Sequence, residues 1–155
     1  MTAQTPFANR APIPNLDDFL CFAVHATGFA FNRIYRKPLA NLGLTYPQFL
    51  VMAALWGADG VSVGALGDKL ALDTSTLTPL LKRLEGMGLV ERRRAQEDER
   101  RVIVSLTGKG SAMRAEVGGI MRCVFDAADL SPEAFVKLTR DIQALRRNLE
   151  RAAEA

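Results

Sequence analysis

The sequence predicts a mainly α-helical fold with one small β-hairpin, formed by a single compact domain. Apolar residues recur with a helical period over six segments, whereas residues 101–106 alternate in the manner of a strand. The length of 155 residues suits one domain with a real core, and 48% apolar with 24% charged residues is typical of a globular chain. No apolar run approaches the ~20 residues of a bilayer span, so no membrane partner is expected.

The N-terminal segment and the two cysteines bear on the cellular compartment in which the protein is expected. Residues 1–15 contain three prolines and no periodic apolar pattern, which predicts a flexible arm preceding a single domain over residues 16–155. The arm lacks the pattern of a signal peptide, so we expect a cytoplasmic chain whose two cysteines are thiols. The chain has one histidine, and Cys21 and Cys123 are far apart, so no metal or other cofactor is expected.

The first helix is predicted from Leu16 to about Asn41, and its apolar surface is unusually wide. Such width indicates burial on more than one side, in part by a second chain. Gly43 then acts as a stop signal. The two adjoining apolar stripes consist of Leu16, Leu20, Ala23, Ala30 and Ile34, and of Phe19, Phe22, Ala26 and Phe29.

Capping residues predict the helices that follow, since Ser, Thr and Asp favour the position before a first helical turn. A continuous helix is expected over residues 107–128, and Ser131-Pro132-Glu133 begins a last helix that ends near residue 152. The three helices between Gly43 and the hairpin are 46–56 after Thr45, 63–70 after Ser62, and 74–87 after Asp73 or Thr74.

The predicted hairpin is strongly charged. Residues 91–101 hold five arginines and four acidic residues, and residues 101–106 form the returning strand. A charge run of this kind is usually a solvated surface. Guanidinium groups also suit phosphate oxygens and narrow minor grooves, but on charge alone the solvated surface is the favoured interpretation.

The order of these elements predicts a winged helix-turn-helix. Two short helices joined at Ala71-Leu72 precede the hairpin, so the second helix would enter a major groove of double-stranded DNA. An ordinary capped helix would also begin with hydroxyl side chains, so the arginine-rich hairpin carries part of the argument. The expected DNA contacts are Thr74, Ser75, Thr76, Thr78, Lys82 and Arg83 of this helix, together with arginines of the hairpin such as Arg101.

Three segments resemble the MarR family of dimeric winged-helix repressors. They are LEGMGLVER at 84–92, EDERRV at 97–102 and LTGKG at 106–110. The resemblance implies that Arg100 enters the minor groove and that Asp98 supports it. It also implies a homodimer on a pseudo-palindromic operator, with residues 16–44 and 107–155 forming the dimer interface and residues 45–106 forming the DNA-binding lobe.

Within that family the chain is similar to the organic-hydroperoxide-resistance repressors of the OhrR type. The similarity lies in LDDFLCFA at 16–23, YRKPL at 35–39, LGLTYPQ at 42–48 and the segment 73–81. It implies that Cys21 is the peroxide-sensing thiol and that Tyr35 and Tyr46, the two tyrosines of the chain, hydrogen-bond its sulfur across the dimer. An inert, packed cysteine is the alternative that sequence pattern alone favours.

The second cysteine and the histidine each admit two interpretations. The resemblance implies that Cys123 resolves the oxidised Cys21 as an intersubunit disulfide, although a cysteine that merely fills a helix interface is the alternative. His25 lies one helical turn after Cys21, where related proteins often carry a tyrosine. An imidazolium at this position could help to stabilise a thiolate, but a surface or interface role for His25 is the simpler interpretation.

The sequence therefore predicts a non-enzymatic DNA-binding repressor that organic hydroperoxides release from its operator through oxidation of Cys21. One alternative is a MarR-type repressor released by a phenolic ligand, hypochlorite or a quinone. A more remote alternative is a thiol peroxidase, for which the sequence shows neither a thioredoxin-like strand pattern nor a CxxC motif.

Overall fold

The computed structural model of the chain describes residues 15–98 and 100–155. The predicted arm, residues 1–15, lies outside the described residues apart from Asn15. A 3-10 turn, Leu16–Asp18, precedes the first α-helix, and a second 3-10 turn, Met113–Glu116, follows the fifth. The elements are α1 Leu20–Ala40, α2 Tyr46–Gly57, β1 Val61–Ser62, α3 Val63–Leu70, α4 Thr74–Gly86, β2 Val90–Arg94, β3 Val102–Leu106, α5 Gly108–Ala112, α6 Val117–Ala128 and α7 Pro132–Ala153.

The predicted caps are confirmed at the starts of α2, α3 and α4. Thr45 and Gln48 form a reciprocal capping box at the start of α2. The Ser62 hydroxyl accepts from the amide of Ala65 at the start of α3. Asp73, rather than Thr74, is the residue that caps α4. Each cap satisfies an amide that the first helical turn leaves without an intrahelical partner, and so fixes where the helix begins.

The sheet has three strands in the order β1-β3-β2, whereas the sequence predicted a two-stranded hairpin. The added strand β1 is antiparallel to β3, with Val61 opposite Val104. Two residues are too short to display the alternation by which a strand is recognised in sequence, so β1 could not be predicted in this way. One Asp59 carboxylate oxygen accepts from the amides of both Gly60 and Leu106, each at 2.8 Å. These bonds connect the segment before β1 to the hairpin formed by β2 and β3, which is the predicted wing.

The prediction of one continuous helix over residues 107–128 is wrong. α5 ends at Ala112, a 3-10 turn follows, and α6 begins at Val117. The backbone stays in the right-handed helical region at Ala112, Met113 and Val117, so the chain tightens without reversing direction. The start of α5 is held against the connection from α4 to β2, while α6 packs on α1. The two ends of the segment thus have different neighbours.

The core lies in the lobe formed by α2, α3, α4 and the sheet. Its central side chains are almost completely buried: Met52, Leu55, Leu66, Leu77, Leu81, Leu84, Leu89 and Val104. By contrast, α1 buries only Tyr35 and Leu39, and α7 buries no residue. Across the described residues, none of the helices combines the length and apolar character needed to cross a bilayer.

Candidate DNA-binding surface and thiol site

The first turn of α4 presents hydroxyl side chains at the surface of the lobe. One Asp73 carboxylate oxygen accepts from the Thr76 amide and from the Ser75 hydroxyl, both at 2.6 Å. The Ser75 hydrogen bond, followed by that of Thr76, lowers the pKa of Asp73, because both bonds favour the ionised carboxylate. Because Asp73 holds the Ser75 hydroxyl hydrogen, the Ser75 oxygen is turned into an acceptor for other groups.

The structure places the other predicted α4 contacts along one exposed region. Thr74, Thr76, Lys82 and Arg83 are exposed, whereas Thr78 is half-buried. The Thr78 hydroxyl donates to the Thr74 carbonyl oxygen at 2.7 Å, so it too offers an acceptor outward. This helix therefore carries short polar groups at its start and cations further along, as expected for base-edge and phosphate contacts.

The tip of the wing is a closed turn built around Asp98. The Asp98 carboxylate accepts from the Arg100 amide at 3.0 Å, and its carbonyl oxygen accepts from the Arg101 amide at 2.9 Å. The Ala95 amide donates to the Arg101 carbonyl oxygen at 2.8 Å and closes the strands. The side chains of Arg100 and Arg101 are exposed, so Asp98 shapes the turn from which both cations project.

A charged pair that the sequence did not reveal joins α4 to the wing. Both Nε and Nη2 of Arg92 donate to one Glu85 carboxylate oxygen, at 3.0 and 2.6 Å. The hydrogen bonds from Arg92 lower the pKa of Glu85. Seven residues and a change from helix to strand separate the two side chains, so only the fold brings them together. Arg92 is thereby engaged within the protein, unlike the exposed Arg100 and Arg101.

Cys21 lies in the first turn of α1 and opens into an apolar surface cavity. The cavity has a volume of about 380 Å³ and is lined by Leu16, Phe19, Cys21, Phe22 and His25. Phe29, which belongs to the same predicted apolar stripe as Phe19 and Phe22, instead contacts His25 edge to face, with ring centroids 4.7 Å apart. The Cys21 side chain is exposed in the single chain.

The two tyrosines form a separate cluster at the other end of α1. Their ring centroids are 4.6 Å apart, and the Tyr35 hydroxyl lies 3.8 Å from Sδ of Met121 in α6. Burial raises the pKa of both phenols, and the neighbouring Tyr46 raises that of Tyr35 further. Both phenols therefore keep their hydrogens and can donate at any physiological pH.

Within one chain the structure does not bring Cys21 to the tyrosines or to Cys123. Tyr35 is 14 residues beyond Cys21 on the same helix, a rise of roughly 21 Å. Cys123 precedes Val124, which lines a cavity together with Thr27, Ala30, Phe31 and Ile34 of α1, all of which follow Cys21 by six residues or more. Both cysteines are free thiols in the single chain. The structure of one chain therefore does not assemble the predicted site.

The fold and the surface formed by α4 and the wing define a winged-helix DNA-binding protein. Residues 33–117 match the family of the transcriptional regulator SarA/Rot. The organic hydroperoxide resistance transcriptional regulator of Bacillus subtilis (strain 168) is 35% identical over 137 residues, covering 88% of this chain and 93% of that protein. The chain therefore belongs to the MarR-type winged-helix transcriptional regulators and is OhrR-like within them.

A second relative and two solved structures agree with this family. The HTH-type transcriptional regulator TtmR of Methylorubrum extorquens (strain PA1) is 52% identical over 103 residues, 66% of this chain and 53% of that protein. Reduced AbfR bound to DNA superposes with a TM-score of 0.74 at 31% identity, covering 88% of this chain and 94% of that one. Disulfide-formed AbfR gives a TM-score of 0.60 at 34% identity, with coverages of 84% and 91%. The chain is thus a DNA-binding transcriptional regulator.

Proposed function

We propose that the protein is a homodimeric repressor that senses organic hydroperoxides through Cys21 and then releases its operator. The observation that carries the proposal is the exposed Cys21 thiol in a cavity whose other lining residues include two phenylalanines and a leucine. An apolar wall of this kind favours alkyl or fatty hydroperoxides over hydrogen peroxide. The name of the Bacillus subtilis relative supports the same class of inducer.

The two phenols supply hydrogen-bond donors for the sulfur when a second chain is added. Since they lie far from Cys21 of their own chain, we place them against Cys21 of the other subunit. A phenol is protonated at physiological pH and can stabilise a thiolate by donation, and burial raises the pKa of both tyrosines further from that range. In the single chain the Tyr35 hydroxyl is directed at another sulfur, that of Met121.

The oxidation step is a nucleophilic substitution at oxygen. The Cys21 thiolate attacks the terminal oxygen of the hydroperoxide, the O–O bond breaks, and the leaving alkoxide takes up a proton to become an alcohol. Sulfur is oxidised to the sulfenic acid while the hydroperoxide is reduced. The Cys123 thiol of the other subunit then attacks that sulfur, forming the disulfide and releasing water.

The disulfide would change the relative position of α1 and α6 in the two subunits. The DNA-binding lobes are attached to these helices, so their spacing would no longer match two operator half-sites about one DNA turn apart. A switch from nearly full to nearly empty occupancy requires a difference of about 5.5 kcal/mol between the two states. The lower TM-score with disulfide-formed AbfR than with reduced, DNA-bound AbfR supports a reduced-like conformation for this chain.

The test compares binding of the reduced protein to the promoter DNA of its own gene before and after one equivalent of cumene hydroperoxide. We expect wild type to lose binding and Cys21→Ser to retain it. Cys123→Ser should form the sulfenic acid but no intersubunit band on a non-reducing gel. Normal bands and normal release in Cys123→Ser would show that Cys123 is not the resolving thiol.

The same variants separate the alternatives. A repressor released by a phenolic ligand would respond to that ligand equally in wild type and Cys21→Ser. A thiol peroxidase would produce many equivalents of alcohol per thiol in the presence of a reductant, whereas a sensor produces one. If the wild-type protein still binds DNA after complete oxidation of Cys21, the result contradicts the proposed function.

A further inference from the structure

We propose that Trp56 is a positioning residue that couples the Tyr35–Tyr46 pair to the junction between the recognition helix α4 and the wing. This inference rests on the proposed function, because it concerns how a change at the phenols reaches the DNA-binding surface. Trp56 touches neither DNA nor thiol in this scheme. It acts through the aromatic rings on one side of it and through α5 on the other.

A continuous series of aromatic contacts leads from the phenols to Trp56. Tyr35 contacts Tyr46 and also Phe49, with ring centroids 4.6 and 5.6 Å apart. Phe49 in turn meets Trp56 edge to face at 6.1 Å. Tyr46, Phe49 and Trp56 all lie on α2, so a shift of Tyr35 on α1 acts on a single rigid helix. Packed rings resist compression, and a displacement at one end is therefore passed along.

The indole of Trp56 carries this series into α5. Its Nε1–H donates to the Gly110 carbonyl oxygen at 2.9 Å. Gly110 is buried, and a Cβ there would overlap the Leu89 carbonyl oxygen, so α5 lies directly against the residue that precedes β2. The Trp56 hydrogen bond thus ends where α5 contacts the base of the wing.

The first turn of α5 in turn holds the whole connection from α4 to β2. The Lys109 ammonium donates to the Met87 carbonyl oxygen at 2.9 Å, and the Thr107 hydroxyl donates to that of Gly88 at 2.6 Å. The Thr107 amide donates to the Leu89 carbonyl oxygen at 3.1 Å. Residues 87–89 set the angle between α4 and the wing, which both contact DNA in the same lobe. A movement of Trp56 therefore bears on the geometry of both DNA-reading elements.

The indole N–H, and not the ring alone, is the feature that this coupling requires. Phenylalanine at position 56 would keep most of the packing on Phe49 but could not donate to Gly110. A ring that served only to fill the core would tolerate this change. Substitutions along a packed network alter the coupling between two sites by about 2- to 30-fold in the ratio of affinities.

The experiment measures promoter affinity of full-length protein with Cys21 reduced and with Cys21 fully oxidised by cumene hydroperoxide, the oxidation being verified by thiol labelling. For Trp56→Phe we expect near-wild-type affinity when reduced, but an oxidation-dependent loss of affinity about 2- to 30-fold smaller than in wild type. Ala53→Ser, at an exposed position of the same helix, is the matched control and should behave as wild type.

A second variant keeps the inference testable even if Trp56→Phe folds poorly. Trp56 is the single tryptophan of the chain, so tryptophan emission reports on the surroundings of this one side chain. We expect the emission of wild type to change on Cys21 oxidation and that of Phe49→Leu, in which the aromatic series is interrupted, to change less. If oxidation of Cys21 changes the emission of Phe49→Leu as much as that of wild type, the result contradicts the coupling.

The outcomes for the coupling and for the proposed function are distinct. If wild type keeps its promoter after Cys21 oxidation, the proposed function fails, and the coupling with it. If wild type releases DNA and Trp56→Phe releases it to the same extent at equal Cys21 oxidation, the coupling alone is overturned. Release in wild type with a diminished response in Trp56→Phe supports both.

Discussion

At the scale of single residues, the two tyrosines illustrate how burial prepares a side chain for its chemistry. Tyr35 and Tyr46 are the two tyrosines of the chain, and both lie in one aromatic cluster. Burial opposes the charged phenolate in each, so the hydroxyl remains a hydrogen-bond donor. The cluster thus has the protonation state that a partner for a thiolate requires.

Ultraviolet absorbance during an alkaline titration should show both tyrosines ionising above their ordinary pKa of 10.0. Burial favours the neutral form of both phenols in the folded state. Their contribution to the free energy of unfolding is therefore fully present below pH 10.0 and is lost as the pH rises through the folded-state pKa. Tyr46→Phe should let Tyr35 ionise at lower pH, since the charge of Tyr46 no longer opposes it. If both phenols ionise with their ordinary pKa of 10.0, the result contradicts their burial.

Gly110 provides a second test at this scale, because a methyl group there has no room. Gly110→Ala should lower the free energy of unfolding by about 1–3 kcal/mol, the usual cost of overpacking. Gly64→Ala is the control: a Cβ at Gly64, within α3, meets nothing within 4 Å. It should be neutral or stabilise by about 0.5–1 kcal/mol through helix propensity. Urea denaturation of the two variants measures the difference, and equal effects would contradict the close contact at Leu89.

At the scale of elements, the sequence predicts what local chemistry determines. Caps such as Ser62 and Asp73 depend on neighbours three residues away, and the structure confirms them. β1 exists only because β3 is beside it, and the break between α5 and α6 arises from different neighbours at the two ends. The Glu85–Arg92 pair likewise depends on tertiary proximity. Motif resemblance located the candidate thiol, but the cavity around Cys21 is a property of the folded chain.

The Glu85–Arg92 pair should hold the wing at a fixed angle to α4, and its effect can be separated from that of charge. Removing an acidic group near DNA should by itself strengthen binding. We nevertheless expect Glu85→Gln to weaken promoter binding by up to about 5-fold, because a partly exposed ion pair contributes up to ~1 kcal/mol to orientation. Glu91→Gln is the matched control, since Glu91 pairs at 3.0 Å with the exposed Arg93 and loses the same charge.

A titration of labelled promoter DNA with each variant decides between orientation and charge. We expect Glu91→Gln to bind as well as wild type or slightly more tightly. If Glu85→Gln binds more tightly by the same factor as Glu91→Gln, net charge outweighs wing orientation. The pair would then have no role in placing the wing.

At the scale of the whole molecule, the single chain leaves two of its longest helices largely uncovered. Leu20, Val24, Phe29 and Ile34 of α1 are exposed in the single chain. Leu20, Phe29 and Ile34 belong to the two apolar stripes that made the predicted apolar surface of this helix unusually wide. On α7, Phe135, Leu138, Ile142, Leu145 and Leu149 follow a spacing of three and four residues, which aligns them on one face. Exposed apolar surface of this extent indicates an interface, and a second copy of the chain would cover both helices.

The α7 face yields the prediction that tests the dimer and the thiol site together. Ile142 is 41% exposed and lies in the middle of this face, so Ile142→Glu should place an unpaired charge in the subunit interface and give a monomer in analytical ultracentrifugation. Gln143→Glu adds the same charge at the next position, which points away from the apolar face, and should remain dimeric. Because we propose that the tyrosines act on the thiol of the other subunit, we expect Ile142→Glu also to oxidise more slowly at Cys21 and to bind its promoter more weakly. A dimeric Ile142→Glu would exclude this face from the interface, whereas a monomer with normal Cys21 reactivity would show that the thiol needs no phenol from a second chain.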